Sequence, residues 1–539
     1  MVATRDEPCG FRCWPLDWRW ACLVFTLTAL LSASFLNGRP VYMSDTVTYV
    51  EAARSLAAGQ GYTVSGAPVT DRPPGYSILL SVLVWLGRDS IASFKILNIA
   101  MCTAVSLMWF ACLRRVSRVD TALLAAAMAS VFFPTIYYTH AVLSETLFAL
   151  LLSVFVLAAL RYAATGRLPW LMAMTGVAMI LPLVRYAGVA VFPVWLWVVC
   201  IEGTDFGNAW RTKRWNLLAG RIALGLLMTG PFFLWLVRNA AVSGIAMGYK
   251  TGVTPEYALS LEKIGVSNFT LGNRIWVNLR GYAHILLIPD QTGIARIGRL
   301  PLVVHAACLL CCGLTVLGAV WGFRQRTNRV LAVTALCYMG MLVANTWYDI
   351  RYVLPLMPLF FFYLARGVEG VGAFVVSQGE RQRPFSKRPL IAPGVWSGAV
   401  LTAGVIGCVA FATVSPQAAR LRAPDYSGVV QRLYAACQYV KQRPEPGKVL
   451  VAGGTGFVPM WSGRPVVSVL TWLDRERNLK IGPLPPDVAF VILDESEFAP
   501  YRSKYLEPLV DANANDVDVV FTSGGTLVYG RKETQEHQR

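Results

Sequence analysis

Long apolar stretches separated by short polar loops make up most of this sequence. Each stretch is close to the 20 or so residues that a helix needs to cross about 30 Å of hydrocarbon. The pattern predicts a polytopic α-helical membrane protein with about eleven transmembrane helices. The predicted spans cover residues 18–36, 91–113, 121–138, 145–160, 170–184, 186–201, 217–237, 301–323, 330–346, 352–365 and 395–414.

One apolar stretch is too short to cross a bilayer. Residues 75–86 form a run of about a dozen residues, and a run of that length falls short of a span. The run follows Pro73 and Pro74, and proline is well tolerated at the start of a helix. We therefore predict an interfacial helix on the outer membrane surface, within an outer loop at 37–90.

The basic residues of the short loops set the predicted orientation. Cytoplasmic loops are enriched in lysine and arginine, and with eleven spans the strongly basic short loops all fall on one side. This arrangement predicts a multi-pass protein of the inner (plasma) membrane with a cytoplasmic N-terminus, a second outer loop at 238–300 and a periplasmic or extracellular C-terminus. The basic residues include Arg114, Arg115, Arg118, Arg211, Lys213, Arg214, Arg324, Arg326 and Arg329.

The character of the chain changes at Ser415. Apolar positions at helical spacing predict an amphipathic helix over 429–442. Short β-branched runs between glycine and proline turns predict strands over 448–452, 488–493, 517–521 and 526–529. We therefore predict two domains, a transmembrane catalytic domain at 1–414 and a small α/β extramembrane domain at 415–539.

Composition supports the membrane assignment and argues against nucleic acid as a partner. Hydrophobic residues make up 55% and charged residues 15% of the 539 positions, whereas soluble proteins carry about 25% charged residues. The net charge is +18, yet residues 415–539 hold 15 basic and 14 acidic side chains, which leaves 34 and 17 in the membrane part. The excess of basic residues therefore reflects the orientation of the membrane part, whose short cytoplasmic loops are rich in lysine and arginine. The expected partner is the bilayer.

Metal and cofactor sites are not predicted. Most of the twelve cysteines lie within apolar spans, where cysteine behaves as a small buried apolar residue. The four histidines are scattered through the chain at 140, 284, 305 and 537. No tetrahedral metal-ligand set follows from this spacing, so we expect neither a metal nor a cofactor.

Candidate chemistry begins in the first outer loop. Asp45 follows the first span, Tyr49 comes four residues later, and Asp71-Arg72 precedes the proline pair and Tyr76. A carboxylate beside a bilayer can act as a general base toward an attacking hydroxyl. The alternative is that Asp45 is an ordinary solvated loop residue.

A second carboxylate, Glu145, opens a span on the same predicted side. His140 lies in the turn region before it. A glutamate in this position could simply interact with the helix macrodipole. Two carboxylates from different loops on one face nevertheless indicate a site, and we expect a catalytic role for Glu145.

Four arginines lie at predicted outer ends of spans, against the positive-inside bias. Arginine binds phosphate bidentately and keeps its charge, so they predict a cradle for an anionic headgroup. Snorkelling or pairing with carboxylates is the alternative for at least one of them. The arginines and their neighbours are Arg72 with Tyr76, Arg185 with Tyr186, Arg238 with Asn239, and Arg351 with Tyr352.

Together these motifs resemble the GT-C glycosyltransferases, and within them glycosyltransferase family 39, the protein mannosyltransferase and aminoarabinose-transferase-like group. The resemblance covers roughly residues 15–370 and lies in the order and placement of short motifs. The motifs are Asp45 after the first span, Arg72-Pro73-Pro74, Leu143-Ser144-Glu145, Leu183-Val184-Arg185, Arg238-Asn239 and Arg351-Tyr352-Val353-Leu354-Pro355.

The resemblance implies transfer of a sugar from a polyprenyl-phosphate donor on the outer face, with inversion. It implies that Asp45 is essential, that Arg72 contacts the donor phosphate and that Glu145 is functional. Many family members carry an acidic pair in the first loop, whereas Thr46 follows Asp45 here. The acceptor, whether protein, lipid or glycan, therefore stays open.

Two other functions fit parts of the pattern. A lipid-linked sugar transporter or flippase would place charges deep in the membrane, and Lys95 is a candidate for such a charge. A non-catalytic scaffold or sensor would use the membrane part only to display the outer domain. The clustering of charges at span ends favours the transferase.

Overall fold

The computed structural model describes residues 14–41, 43–64, 66–202, 215–244, 271–285, 302–344, 349–382, 393–422, 428–451, 457–468, 483–494 and 502–532. Most of the predicted outer loop at 238–300 lies outside these residues. The chain forms two compact units. The first comprises Met1–Asn37, Thr70–Tyr76 and Ala92–Arg422, and the second comprises Gly38–Val69, Ser77–Ile91 and Ala423–Arg539. The functional division into 1–414 and 415–539 stays a prediction.

Helices dominate the described chain, and most of the predicted spans have a helix that begins and ends within a few residues of the predicted boundaries, whereas the span predicted over 352–365 lies in a helix that runs on to Gln382. They are α1 Trp14–Ala33, α2 Ser44–Ala57, α3 Gly75–Trp85, α4 Ile91–Leu113, α5 Val119–Val131, α6 Phe133–His140, α7 Glu145–Thr165, α8 Leu168–Val184, α9 Val191–Trp197, α10 Trp215–Ser243, α11 Leu271–Ile285, α12 Leu302–Arg324, α13 Arg329–Ala344, α14 Ile350–Val353, α15 Met357–Gln382, α16 Pro393–Val414, α17 Pro416–Arg422, α18 Val429–Lys441, α19 Val458–Ser462 and α20 Glu507–Ala512.

Within the described residues, six helices are long and apolar enough to cross a membrane, and a bent pair makes a possible seventh. Several shorter apolar helices, including Leu168–Val184 and Tyr186–Glu202, accompany them. The protein is therefore a multi-pass helical membrane protein, while the count of eleven spans stays a prediction. The six helices are Ile91–Leu113, Glu145–Thr165, Ala219–Ser243, Arg326–Ala344, Ile350–Val375 and Val395–Val414.

The bent pair departs from the sequence-based interpretation. One continuous span is predicted over 121–138, but α5 and α6 meet at Phe132 with a bend of 52°. Pro134 lies in the first turn of α6. Proline has no N–H for a helical hydrogen bond and clashes with the preceding turn, so the helix breaks and restarts here.

The second unit contains a five-stranded mixed sheet. Its strands are β3 Lys448–Val451, β4 Val466–Ser468, β5 Val488–Leu493, β6 Val517–Ser523 and β7 Thr526–Arg531, after a short hairpin of β1 Thr63–Val64 and β2 Ala67–Pro68. The spatial order is β4-β3-β5-β7-β6. Strands β3, β4 and β5 are parallel, and β7 pairs antiparallel with β5 and β6. The short edge strand β4 is not predicted from the sequence.

Helix α2 belongs to the core of this second unit. Val47 is 2% exposed and packs with Leu433, Cys437 and Val449 in one apolar cluster beside the sheet. A second cluster, which includes Leu450, Val491 and Leu509, forms the other core. Residues near Asp45 are therefore fixed by apolar packing with the C-terminal residues.

Candidate active site

The first site residue is Glu145, the first residue of α7. It follows a turn in which Val142 has a φ of 54° and is fully buried. Positive φ is rare for a β-branched residue, and such strained residues cluster at functional sites. The turn delivers Glu145 to the interior of the first unit, where the residue is only 4% exposed.

Arg185 meets this carboxylate. Helix α8 ends at Val184, and Arg185 itself is extended, with φ −151° and ψ 140°. Its Nη1 lies 2.6 Å from Oε1 of Glu145 and donates to the hydroxyl of Ser144 at 3.1 Å. Its guanidinium lies 5.3 Å from the ring centre of Tyr352. Because both charges are largely buried, this pair is only weakly screened by solvent.

Arg351 approaches the same carboxylate from the other side. Its Nε lies 3.9 Å from Oε1 of Glu145 and 3.2 Å from Oδ2 of Asp349. Its guanidinium also lies 5.0 Å from the Tyr352 ring centre, and Nη2 donates to the Tyr352 hydroxyl at 3.1 Å. The Tyr352 ring therefore contacts both Arg351 and Arg185.

Asp71 and Arg72 form an ion pair with each other, the contact that their adjacency in the sequence indicates. Gly75 ends the same short segment and lies against the backbone of Leu183. A Cβ at Gly75 would lie 2.8 Å from the Leu183 carbonyl oxygen. Only glycine permits so close a backbone approach. The segment that carries Arg72 is therefore packed against the residues that lead to Arg185.

Side chains of Asn239 in α10 and of Tyr186 hold the same segment by its backbone. The carbonyl of Thr70 accepts from Nδ2 of Asn239 at 3.0 Å and from the Tyr186 hydroxyl at 3.2 Å. Arg238 donates to Oδ1 of Asn239 at 3.0 Å and lies 4.9 Å from the Trp235 ring centre. Asn239 and Tyr186 thus both hold the Thr70 carbonyl, and Arg238 lies beside Asn239.

Tyr76 and His140 have structural contacts deep in the first unit. The Tyr76 hydroxyl donates to Asn98 at 2.9 Å, and the Asn98 amide donates to the carbonyl of Thr139 at 3.0 Å. Nε2 of His140 lies 3.0 Å from the carbonyl oxygen of Ser32. These contacts hold the C-terminal end of α6, just before the α6–α7 turn, and the supporting role of Tyr76 and His140 at the site stays a prediction.

Asp45 and Tyr49 belong to the second unit. Asp45 lies in the first turn of α2, and the carbonyl of Tyr49 accepts from the Ser77 hydroxyl at 3.1 Å. Further along α2, Arg54 pairs with Glu51 and with Asp89. The role of Asp45 beside the arginines stays a prediction, since those arginines belong to the first unit.

A small cavity borders Glu145 inside the first unit. It has a volume of about 40 Å³, and Tyr138, Thr139, Ser130 and Ser106 contribute to its wall along with apolar residues. A water molecule needs about 10–15 Å³ of such volume and two or more polar partners. The cavity is therefore large enough for a water molecule and includes Glu145 in its wall.

Two residues of the cluster were not predicted from the sequence. Asp349 pairs with Arg351, and Tyr138 donates to Asp349 at 3.1 Å. The sequence did contain a signal for Asp349, which caps α14 two residues before Arg351. Tyr138 carried no signal, because its contact spans 211 residues. In the described part of the chain, no three histidine, cysteine, aspartate or glutamate side chains group as a metal site.

Sequence comparison and structure comparison give different answers. No protein-family model matches the chain, and no curated protein matches it in sequence. Solved structures do match. ArnT from Cupriavidus metallidurans in the apo state aligns with a TM-score of 0.55 and 16% identity, over 95% of this chain and 98% of that chain.

Two further structures agree. ArnT from the same organism bound to undecaprenyl phosphate gives a TM-score of 0.54 and 15% identity, over 96% and 98% of the two chains. The archaeal oligosaccharyltransferase AglB from Archaeoglobus fulgidus, in complex with an inhibitory peptide and a dolichol-phosphate, gives 0.51 and 14%, over 97% and 75%. The chain therefore has the fold of these proteins, and the helical membrane fold predicted from the sequence is confirmed.

Proposed function

We propose that this protein is a membrane glycosyltransferase that takes its sugar from a polyprenyl-phosphate donor. The observation that carries the proposal is the buried cluster of Glu145, Arg185 and Arg351 in a chain with the GT-C fold. The ArnT and AglB structures that share the fold contain undecaprenyl phosphate and dolichol-phosphate. A lipid carrier of this class suits an arginine-rich site beside apolar helices.

Charge balance supports a phosphate ligand. The candidate groups of the first unit are the arginines Arg72, Arg185, Arg238 and Arg351 and the carboxylates Asp71, Glu145 and Asp349. Four cations and three anions leave one positive charge. A phosphodiester carries one negative charge and would complete the balance. Arginine binds phosphate oxygens through parallel N–H donors, which adds geometric selectivity.

The proposed chemistry is a single displacement at the anomeric carbon. The acceptor hydroxyl forms a bond to that carbon while the bond to the phosphate oxygen breaks, so the configuration inverts. Asp45 accepts the hydroxyl proton as general base. The polyprenyl phosphate leaves with the bonding electron pair, and the arginines stabilise the negative charge that develops on it. The acceptor supplies a hydroxyl of a protein, a lipid or a glycan, and the reaction occurs on the outer face of the membrane.

The structure gives no reason to favour a transporter. Lys95 is fully buried, but its Nζ donates to Oδ1 of Asn37 at 2.8 Å. The Asn37 amide in turn donates to the carbonyls of Leu421 and Arg422. The buried charge therefore has a structural use, because it ties α4 to the ends of α1 and α17.

A direct test compares two aspartates of the first loop. Membranes containing the protein are supplied with a panel of polyprenyl-phosphate sugars, and mass spectrometry measures release of the free polyprenyl phosphate. Asp45→Asn should lower kcat by about 10²- to 10⁴-fold, the usual contribution of a general base. Asp71→Asn should mainly raise the KM for the donor, because Asp71 positions Arg72. Full activity of Asp45→Asn would remove Asp45 from the mechanism.

A further inference from the structure

Asp349 controls the position of Arg351 through two contacts. Its Oδ1 accepts from the backbone N–H of Arg351 at 3.0 Å, which caps α14. Its Oδ2 lies 3.2 Å from Nε of the Arg351 side chain. One carboxylate therefore contacts both the backbone N–H and the guanidinium of the same arginine.

The carboxylate of Asp349 is itself held in place. The Tyr138 hydroxyl donates to Oδ1 of Asp349 at 3.1 Å, and Tyr138 is only 4% exposed. The residue after Arg351 is also anchored, because the Tyr338 hydroxyl donates to the carbonyl of Tyr352 at 2.9 Å. The short helix α14 thus has few ways to shift, and Asp349 keeps one orientation.

Arg351 lies between two carboxylates that compete for it. Its Nε is 3.2 Å from Asp349 and 3.9 Å from Glu145. The Glu145 side chain is 5% exposed, compared with 32% for Asp349. A more buried carboxylate attracts a guanidinium more strongly, because less solvent screens it. If Asp349 had no charge, Glu145 would be the nearer charged carboxylate to the Arg351 guanidinium.

We propose that Asp349 is a positioning residue that keeps the Arg351 guanidinium from forming a close ion pair with the Glu145 carboxylate. This inference rests on the proposed function, in which Arg351 binds the donor phosphate. Arg185 already neutralises Glu145 at 2.6 Å. If Arg351 also paired with this carboxylate, it would no longer be available to bind the donor phosphate. The site would then bind its donor with one fewer cation.

The substitution Asp349→Asn separates this role from capping. Asparagine keeps an oxygen that can accept from the Arg351 backbone and from Tyr138, but it has no charge to hold the guanidinium. Native mass spectrometry of the full-length protein in nanodiscs would measure binding of undecaprenyl phosphate. Asp349→Asn should weaken binding by about tenfold, the value of one charge-assisted hydrogen bond.

The decisive readout is a double-mutant cycle with Glu145→Gln. Once Glu145 has no charge, it cannot form an ion pair with Arg351. Asp349→Asn should therefore change the affinity for undecaprenyl phosphate by less than about twofold in the Glu145→Gln background. Asp120→Asn is the matched control, because Asp120 likewise lies at the start of a helix and pairs with an arginine two residues away, Arg118. This control should bind the lipid like the wild type.

Each other outcome is informative. Tighter or unchanged binding by Asp349→Asn would overturn the inference. Weaker binding that persists in the Glu145→Gln background would show that Asp349 acts only as a helix cap, which also overturns it. If Arg351→Gln binds undecaprenyl phosphate as well as the wild type does, the proposed function itself fails, and the inference fails with it.

Discussion

The carboxylate of Glu145 lies 2.6 Å from the guanidinium of Arg185, and the two side chains are 5% and 15% exposed. The residues are 40 positions apart and come from the start of α7 and the end of α8. A carboxylate buried to this extent would be costly without a partner. The pair therefore links the fold of the membrane part to the chemistry proposed for it.

Breaking this pair from one side should destabilise the protein. Arg185→Met removes the nearer arginine and leaves the buried Glu145 charge with Arg351 at 3.9 Å, so the loss should reach up to about 3–5 kcal/mol, the cost of breaking a buried ion pair from one side. The free energy of unfolding, measured by sodium dodecyl sulfate titration in mixed micelles, should fall by that amount.

The double variant Glu145→Gln with Arg185→Met provides the comparison. It removes both charges, so its loss of stability should be smaller than the sum of the two single losses. Additive losses would mean that the two side chains do not interact in the folded protein.

A close helix contact provides a stability prediction far from the site. Helices α12 and α15 pack tightly, and a Cβ on Gly318 would lie 2.0 Å from the carbonyl oxygen of Tyr363. Gly318→Ala should therefore force the helices apart, at a cost of about 1–3 kcal/mol. Thermal unfolding followed by size-exclusion chromatography would measure the loss.

Gly313 is the matched control on the same helix. Nothing lies within 4 Å of a Cβ at this position. Gly313→Ala should be neutral, or stabilising by up to about 1 kcal/mol, because alanine favours the helix more than glycine does. Equal melting temperatures for the two variants would contradict the packing argument.

The outer face of α3 should contact lipid. Ile78, Val82 and Trp85 recur at helical spacing and are 50%, 49% and 77% exposed, while Leu80 is fully buried. A photoreactive benzoylphenylalanine at Val82 should form adducts with lipid, because an exposed apolar helix face is typical of a membrane interface.

The same probe at Ala58 tests the specificity of this result. Ala58 is also exposed but lies at the polar C-terminal end of α2. We expect no lipid adduct there. Adducts at Ala58 but not at Val82 would rule out the predicted interfacial orientation of α3.

The sequence predicted most of the helical architecture because hydrophobic length is a strong signal in a membrane protein. Helix α4 coincides with its predicted span at 91–113, and strand β5 coincides with 488–493. Hydrophobic length failed as a signal where a proline interrupts an apolar run. The apolar run at 121–138 continues through Pro134, so hydrophobicity alone did not reveal the break between α5 and α6.

The site was predictable only in part. Glu145, Arg185 and Arg351 were identified as charges at span ends, but their sequence positions did not show which carboxylate would meet which arginine. Tyr138 meets Asp349 across 211 residues, and only the packed helices bring such residues together. Short three-residue strands such as β4 are missed for a related reason, because pairing with a neighbour decides them.

The proposed function requires that arginines of the first unit, Arg72 and Arg351 among them, bind the phosphate of a polyprenyl carrier. The most direct measurement is an electron cryo-microscopy structure of the protein in nanodiscs with undecaprenyl phosphate. The phosphate should lie within about 3 Å of guanidinium nitrogens of Arg351 and Arg72, a charge-assisted hydrogen-bond distance. A phosphate bound elsewhere, with these arginines contacting only carboxylates, would contradict it.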